Sequence, residues 1–312
     1  MRFLPQLIFL FACSLHADER PNILFAIADD WGWPHAGSYG DPALKTPTFD
    51  RLAKEGALFH HAYVSSPSCT PSRGAILTGQ WHWRLEGAGN LWSVFPDKYD
   101  TYPERLAKAG YVTGVSSKGW GPGRTQKKGR QLAGPRYKNF RAFMKSRESG
   151  KPFCYWLGSS DPHRGYAKGS GVKSGMDLSK IKLFAHFPDS NEVRSDVADY
   201  YFEVQRFDSL VGDAIKALEE SGELDNTIVV MTGDHGMPFP RCKSNNYDSG
   251  ARVPLAIRWP SKVKAGTVVN DFVSLVDVAP TFYQAADLDV PSDVSGRSLL
   301  SLLAGKGKSN RG

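Results

Sequence analysis

The amino-acid sequence predicts an α/β fold with a mainly parallel central sheet flanked by helices. Apolar runs such as 22–28 and 227–231 are continuous rather than alternating, as in strands buried on both faces. These runs alternate along the chain with stretches of helical periodicity, the pattern of a parallel sheet with helical crossovers. Four of the runs end in polar, chemically capable residues, and open α/β sheets place ligands beyond the carboxyl ends of their strands.

The run 22–28 stops abruptly at Asp29-Asp30. Thr46-Pro47-Thr48 then opens an amphipathic helix through Leu52 and Ala53 that ends at Gly56. A helix over 102–109 precedes a strand over 111–115, which runs into Ser116-Ser117-Lys118. A strand over 153–157 runs into Ser159-Ser160-Asp161-Pro162-His163. Gly, Lys and Ser crowd 165–188, as in a long loop shaping a rim. The longest helix covers about 193–221: Val193, Val197, Tyr201, Val204, Phe207, Val211, Ile215 and Leu218 recur at helical spacing, and Gly222 stops it. A strand over 227–231 delivers Gly233-Asp234-His235, and 253–257 and 272–276 have the composition of later strands. Asp29, Asp30, Lys118, His163, Asp234 and His235 are therefore expected to converge on one site.

With 312 residues, 41% of them hydrophobic, the chain can pack one large domain, alone or with a small appendage. Residues 1–17 combine Met1-Arg2, an apolar run over 3–15 and a terminal Ala17, which describes a secretory signal and a secreted or periplasmic protein. Leu10-Phe11-Ala12-Cys13 also resembles a lipoprotein processing site, so a lipid anchor at Cys13 is the one membrane attachment left open. Without the signal, 38 basic face 32 acidic residues, a net +6 that suits polyanionic substrates. No dense Lys/Arg run or recognition motif points to nucleic acid. Three cysteines follow the signal; Cys154 and Cys242 either pair or are buried thiols, and Cys69 is left over.

Cys69 opens Cys69-Thr70-Pro71-Ser72-Arg73-Gly74, followed by the helix-like Ala75-Ile76-Leu77-Thr78. Proline suits a first helical turn, and a helix N-terminus favours an anion. The C-x-P-S-R pattern resembles the signature of the sulfatase family. Asp29-Asp30 and Asp234-His235 are similar to that family's two metal-binding pairs, although the family often carries Asn where His235 stands. Lys118 occupies the place of the Lys in a Gly-Lys-x-His stretch, with Trp120 near the His position. His163 resembles the family's strand-end His. Lys243, four residues before Tyr247-Asp248-Ser249-Gly250-Ala251-Arg252-Val253-Pro254, is similar to the Lys of a closing K-x-x-x-Y-E-G-G-x-R-V-P element. The likeness runs from residue 20 to 303. Its 161–164 and 236–240 segments are similar to heparan N-sulfatases (sulfamidases), and its 118–123 segment to bacterial polysaccharide sulfatases.

The resemblance implies an alkaline-phosphatase-like sulfatase fold with a catalytic domain over 20–303. It also implies that 304–312 is a polar tail where relatives continue into a smaller C-terminal subdomain. Cys69 is then oxidised to formylglycine by a formylglycine-generating or anaerobic sulfatase-maturating enzyme. Asp29, Asp30, Cys69, Asp234 and His235 hold Ca2+, a hard cation suited to carboxylate oxygen. The expected reaction is hydrolysis of a sulfate ester or sulfamate on a carbohydrate. A formylglycine hydroxyl attacks sulfur, Arg73, Lys118 and Lys243 offset charge on the sulfate oxygens, and His163 protonates the leaving atom. Trp81, Trp83 and Trp92 either line a sugar platform or pack. Two alternatives belong to other classes: a phosphatase or phosphodiesterase of the alkaline-phosphatase superfamily, whose nucleophile is Ser or Thr, and a sulfated-glycan-binding protein without turnover.

Overall fold

The strand ends expected to converge lie on four neighbouring strands. The computed structural model describes residues 20–308; the predicted signal with Cys13, and residues 309–312 of the tail, lie outside the described residues. In chain order the strands are β1 (Asn22–Ala28), β2 (Ala57–Tyr63), β3 (Ser93–Phe95), β4 (Val112–Ser116), β5 (Gly123–Thr125), β6 (Phe153–Gly158), β7 (Thr227–Gly233), β8 (Arg252–Arg258) and β9 (Thr267–Ser274). Seven form one sheet in the order β4-β6-β1-β7-β8-β2-β9, while β3 and β5 pair separately. β4, β6, β1 and β7 run parallel, as do β2 and β9; β8 runs against both of its neighbours.

β1 is buried along its whole length because it serves two cores. Ile23, Phe25 and Ile27 face one, with Leu106 and Phe282 from the helices Tyr102–Lys108 and Val278–Ala285. Leu24, Ala26 and Ala28 face the other, with Phe49 from Pro47–Glu55 and Val204 from Asn191–Glu220. The long helix starts where the Ser190 hydroxyl accepts the Val193 N–H, and it lays Val197, Val204, Val211 and Leu218 on the sheet. Each such buried aliphatic side chain contributes about 1.5–3 kcal/mol.

Three expectations are corrected. The last strand is β9, which starts earlier than 272; Leu275 and Val276 lie instead in a 3-10 turn that Ser274 and Asp277 cap reciprocally. Asn270 and Asp271 hid it from the apolar pattern, but it is an edge strand, where polar residues are tolerated. The strand β2 and the helices Phe140–Ser146 and Val278–Ala285 went unread. In β2, His60 and His61 break the apolar run at a bulge. The segment 165–188 is not structureless: it contains the single turns Ser170–Lys173 and Leu178–Lys180, the former tied to the long helix through Asp199. Cys154 and Cys242 are separate buried thiols.

Two glycines let the backbone cross the strand ends. A Cβ on Gly158 would lie 2.0 Å from Lys118 O, and one on Gly233 2.1 Å from Trp31 O. Any larger residue there displaces the loop carrying Lys118 or the one following Asp30.

Candidate active site

The register pairs Ala28 with Gly233, so Asp29-Asp30 and Asp234-His235 leave adjacent strands side by side. Asp30 takes a left-handed φ of 75°, which costs an L-residue on the order of 1–3 kcal/mol. In that conformation its N–H reaches Asp234 Oδ1 at 2.9 Å. One donor atom each from Asp29, Asp30, Cys69 and His235 fall within 4.8 Å of one another, all four residues being buried. Asp234 adjoins this group rather than joining it, with Oδ1 3.5 Å from His235 Nε2.

Cys69 is the first residue of a helix, Cys69–Thr78, that is buried on every side. Its Sγ stands 3.5 Å from Asp29 Oδ1 and 3.3 Å from His235 Nε2. Ser72 Oγ donates to Asp234 O and Thr70 Oγ1 to Pro122 O, both at 2.6 Å, which fixes the helix start against the strand ends. Arg73 has a different place from the one expected. Its guanidinium is wholly buried, donating to Asp234 Oδ2 at 2.7 Å and to the carbonyls of Lys118, Gly119 and Ala28. It holds Asp234 and the Lys118 loop in place, and its Nη2 also lies 3.7 Å from Asp29 Oδ1.

The electrostatics close around the carboxylates. Lys118 Nζ lies 2.5 Å from Asp29 Oδ2, and Lys243 Nζ lies 2.8 and 2.9 Å from the two Asp30 oxygens. Burial, then Asp234, raise the Asp29 carboxyl above its ordinary value. Asp234 goes the other way: burial would raise it, but His235 and Arg73 hold it far below the carboxylate range. Burial would likewise lower His235, yet Asp234 and Asp30 outweigh it and raise the imidazole to about 9.

The donor set fits a hard divalent cation. Two of its four donors are carboxylate oxygens, which suit such a cation. His235 Nδ1 lies 3.0 Å from Gly236 O; since a carbonyl only accepts, Nδ1 carries a hydrogen, and Nε2 faces the group, where it would become the ligand atom once a cation displaced its proton. The one soft donor is Cys69 Sγ, which oxidation to an oxygen-bearing side chain would replace.

The sulfatase family model matches residues 21–132 and 129–288. The chain belongs to the sulfatase family. It is 29% identical over 304 residues to an ulvan-active sulfatase of Formosa agariphila, covering 92% of this chain and 58% of that protein. It is 31% identical over 338 residues to the N-sulphoglucosamine sulphohydrolase of Homo sapiens, covering 91% and 66%. The chain thus spans roughly three fifths to two thirds of the length of these curated relatives. The solved phosphonate monoester hydrolase of Agrobacterium radiobacter superposes with a TM-score of 0.76 at 18% identity, over 93% of this chain and 78% of that one. That likeness shows the fold alone.

In this sulfatase-family chain a cavity of about 630 Å³ reaches the buried group at Asp29 and is lined also by Lys118, Trp120, Asp161, His163 and Arg206 among others, while Asp30, Cys69 and His235 lie behind its lining. His163 stands on its exposed rim, with Nδ1 3.0 Å from Arg164 O. It shares the cavity with Asp29 and Lys118 but is not among the buried donors. Trp120 forms part of the wall at the position where a second His was looked for. Glu203 and Arg206 were missed. They lie on the long helix, where only the apolar positions had drawn attention, and the signal was a charged i,i+3 pair on an otherwise core-facing turn.

Proposed function

We propose that this chain hydrolyses a sulfate ester or sulfamate on a carbohydrate, using Cys69 after its oxidation to formylglycine and a Ca2+ ion. The observation that supports it is the placement of Cys69 Sγ, at a helix N-terminus, within 3.5 Å of both Asp29 and His235. Asp29, Asp30 and His235 would hold the cation, with Asp234 beside them. Together the cation and the formylglycine supply positive charge and an activated hydroxyl at sulfur.

The chain's own groups do the rest. Lys118 sets one ammonium hydrogen on Asp29 and Lys243 donates to both Asp30 oxygens, and each keeps at least one for the sulfate oxygens, where charge grows in the transition state. Arg73 keeps Asp234 ionised and oriented. His163 carries its Nδ1 hydrogen toward Arg164 O, so Nε2 is the nitrogen that exchanges a proton with the leaving oxygen or nitrogen. The relatives named ulvan-active sulfatase and N-sulphoglucosamine sulphohydrolase support the carbohydrate half of the reading. Export to the periplasm or outside the cell, and maturation of Cys69 by a dedicated enzyme, belong to the same proposal.

The test is peptide mass spectrometry across Cys69 from protein co-expressed with a maturating enzyme. It is paired with release assays on matched sulfate, sulfamate, phosphate and phosphonate substrates. Sulfate release that tracks the formylglycine fraction supports the reading. Phosphate or phosphonate release exceeding sulfate release would overturn it.

A further inference from the structure

A second cavity, of about 800 Å³, opens beside the catalytic one. The two share Gly119, Trp120 and Arg136 and so adjoin along that wall. The second is built largely by β5 and the chain that follows it, and its charged lining is wholly basic: Arg124, Lys128, Arg130 and Arg136, with no carboxylate among the lining residues.

These four cations are not equivalent. Arg130 is committed, its guanidinium paired with both Glu104 oxygens at 2.7 Å. Arg136 gives one N–H to Ser117 O at 2.6 Å and keeps the others. Arg124 and Lys128 are exposed and have neither a hydrogen-bonded nor an ion-paired partner among the described residues. Like charges held around one concavity repel one another, and an anion entering it relieves that repulsion.

Trp92 lines neither cavity, but its backbone is tied to the wall of the first. Trp92 donates its backbone N–H to Pro122 O at 3.1 Å, and Pro122 lines the catalytic cavity. The next residues of its strand pair with β5, Val94 opposite Arg124. Trp92 is 78% exposed and holds a left-handed φ of 56°. An indole left in water adds little to the core, and the backbone beneath it is strained. Both features suit a surface awaiting a flat apolar partner such as a sugar ring face.

We propose that this second cavity is an acidic-glycan subsite. Arg124, Lys128 and Arg136 hold a sulfate or carboxylate on a sugar unit next along the chain from the one being desulfated, and Trp92 supports the sugar between. The proposal rests on the catalytic reading above and narrows its substrate to oligosaccharides bearing more than one anionic group.

The experiment compares the unchanged protein with an Arg124→Gln/Lys128→Gln double variant and with Trp92→Ala. Calorimetry measures Kd for a heparin-derived tetrasaccharide and for glucosamine N-sulfate at two salt concentrations, and sulfate release from both gives kcat and KM. The tetrasaccharide is expected to bind at least ~10-fold more tightly than the monosaccharide. The double variant should lose that advantage while its constants for the monosaccharide stay unchanged. Trp92→Ala should lose a smaller share that salt does not alter, because stacking is not screened. Equal binding of the two ligands, or a double variant that keeps the full advantage, overturns the subsite. Because binding is read separately from turnover, the two readings fail separately. A protein that grips the tetrasaccharide through Arg124 and Lys128 yet releases no sulfate sinks only the catalytic proposal.

Discussion

The floor and the rim of the catalytic cavity are built on opposite terms. On the floor, the charged groups are tied to one another: Arg73 to Asp234, Lys118 to Asp29, Lys243 and His235 to Asp30. At the rim, His163 stands exposed with one ring nitrogen engaged, and Arg136 spends one N–H on a carbonyl. The floor's carboxylates hang on β1 and β7 at the centre of the sheet, while Lys118 and the rim hang on the loops beyond β4 and β6. Reacting groups sit where the lattice of partners is dense, and groups that would choose a substrate sit where it is open. Substitutions should therefore separate into two kinds, those that lose chemistry and fold together and those that lose chemistry alone.

The largest effect is expected at Cys69. Cys69→Ala should lower turnover by at least ~10³-fold, the order of loss when the residue carrying the nucleophile is removed. Asp30→Ala should lose turnover and the cation together. Calcium at 100-fold over its Kd should raise the stability of the unchanged protein by about 2.7 kcal/mol and that of the variant by much less. Thermal melts with and without EDTA read this directly. An Asp30→Ala protein that keeps stoichiometric calcium and its full calcium-induced shift would show that the floor is not the metal site.

Arg73 tests whether the floor is locked. Arg73→Met leaves Asp234 as a buried charge without the guanidinium that hydrogen-bonds it, and breaking such a pair costs about 3–5 kcal/mol. Arg73→Lys should recover little, since one ammonium cannot reach Asp234 and three carbonyls at once. Urea unfolding measures both, and a loss below about 1 kcal/mol for either variant would break the contrast drawn here.

The floor was far more legible in the sequence than the rim. Asp29-Asp30 and Asp234-His235 follow uninterrupted apolar runs, and a run buried on both faces must end at the sheet edge where ligands bind. Lys243 sits on a loop and needed its fixed distance from Tyr247 to be found. Arg73 was found but misplaced, because a linear motif names a residue without showing which way its side chain turns; only the fold brings Ala28, Lys118 and Asp234 around it. Arg124, Lys127, Lys128 and Arg130 do form a basic cluster within seven residues, but nothing local marks which of them, with Arg136, face one cavity. Glu203 and Arg206 were hidden by the apolar periodicity of their own helix.

His163 gives a smaller effect of the second kind. His163→Gln should lower kcat by ~10²-fold on a sugar sulfate, whose leaving oxygen needs a proton, and much less on an aryl sulfate, whose phenolate leaves without one. Its unfolding free energy should change by less than about 0.5 kcal/mol, as for other exposed positions. A uniform loss on both substrates would mean that His163 binds or orients rather than donates.

The smallest effect concerns Glu203, which is buried in the wall of the cavity beside Asp161. Burial first, and Asp161 second, raise its carboxyl above the ordinary value, and Arg206 at 2.9 Å offsets only part of this. The sign follows from proton linkage. A carboxyl whose folded pKa lies above its unfolded one binds more protons in the fold, so its stabilising contribution is complete below the unfolded pKa and is lost as pH rises through the folded one. At neutral pH an ionised Glu203 therefore opposes folding slightly, and Glu203→Gln should stabilise the protein there, by less than about 1 kcal/mol. Near pH 4, where the carboxyl is already protonated, the same substitution should change nothing. Unfolding curves collected from pH 4 to pH 8 decide it. If Glu203→Gln instead destabilises the protein at pH 8 more than at pH 4, then Arg206 holds an ionised Glu203 as tightly as Arg73 holds Asp234, and this part of the rim is as locked as the floor.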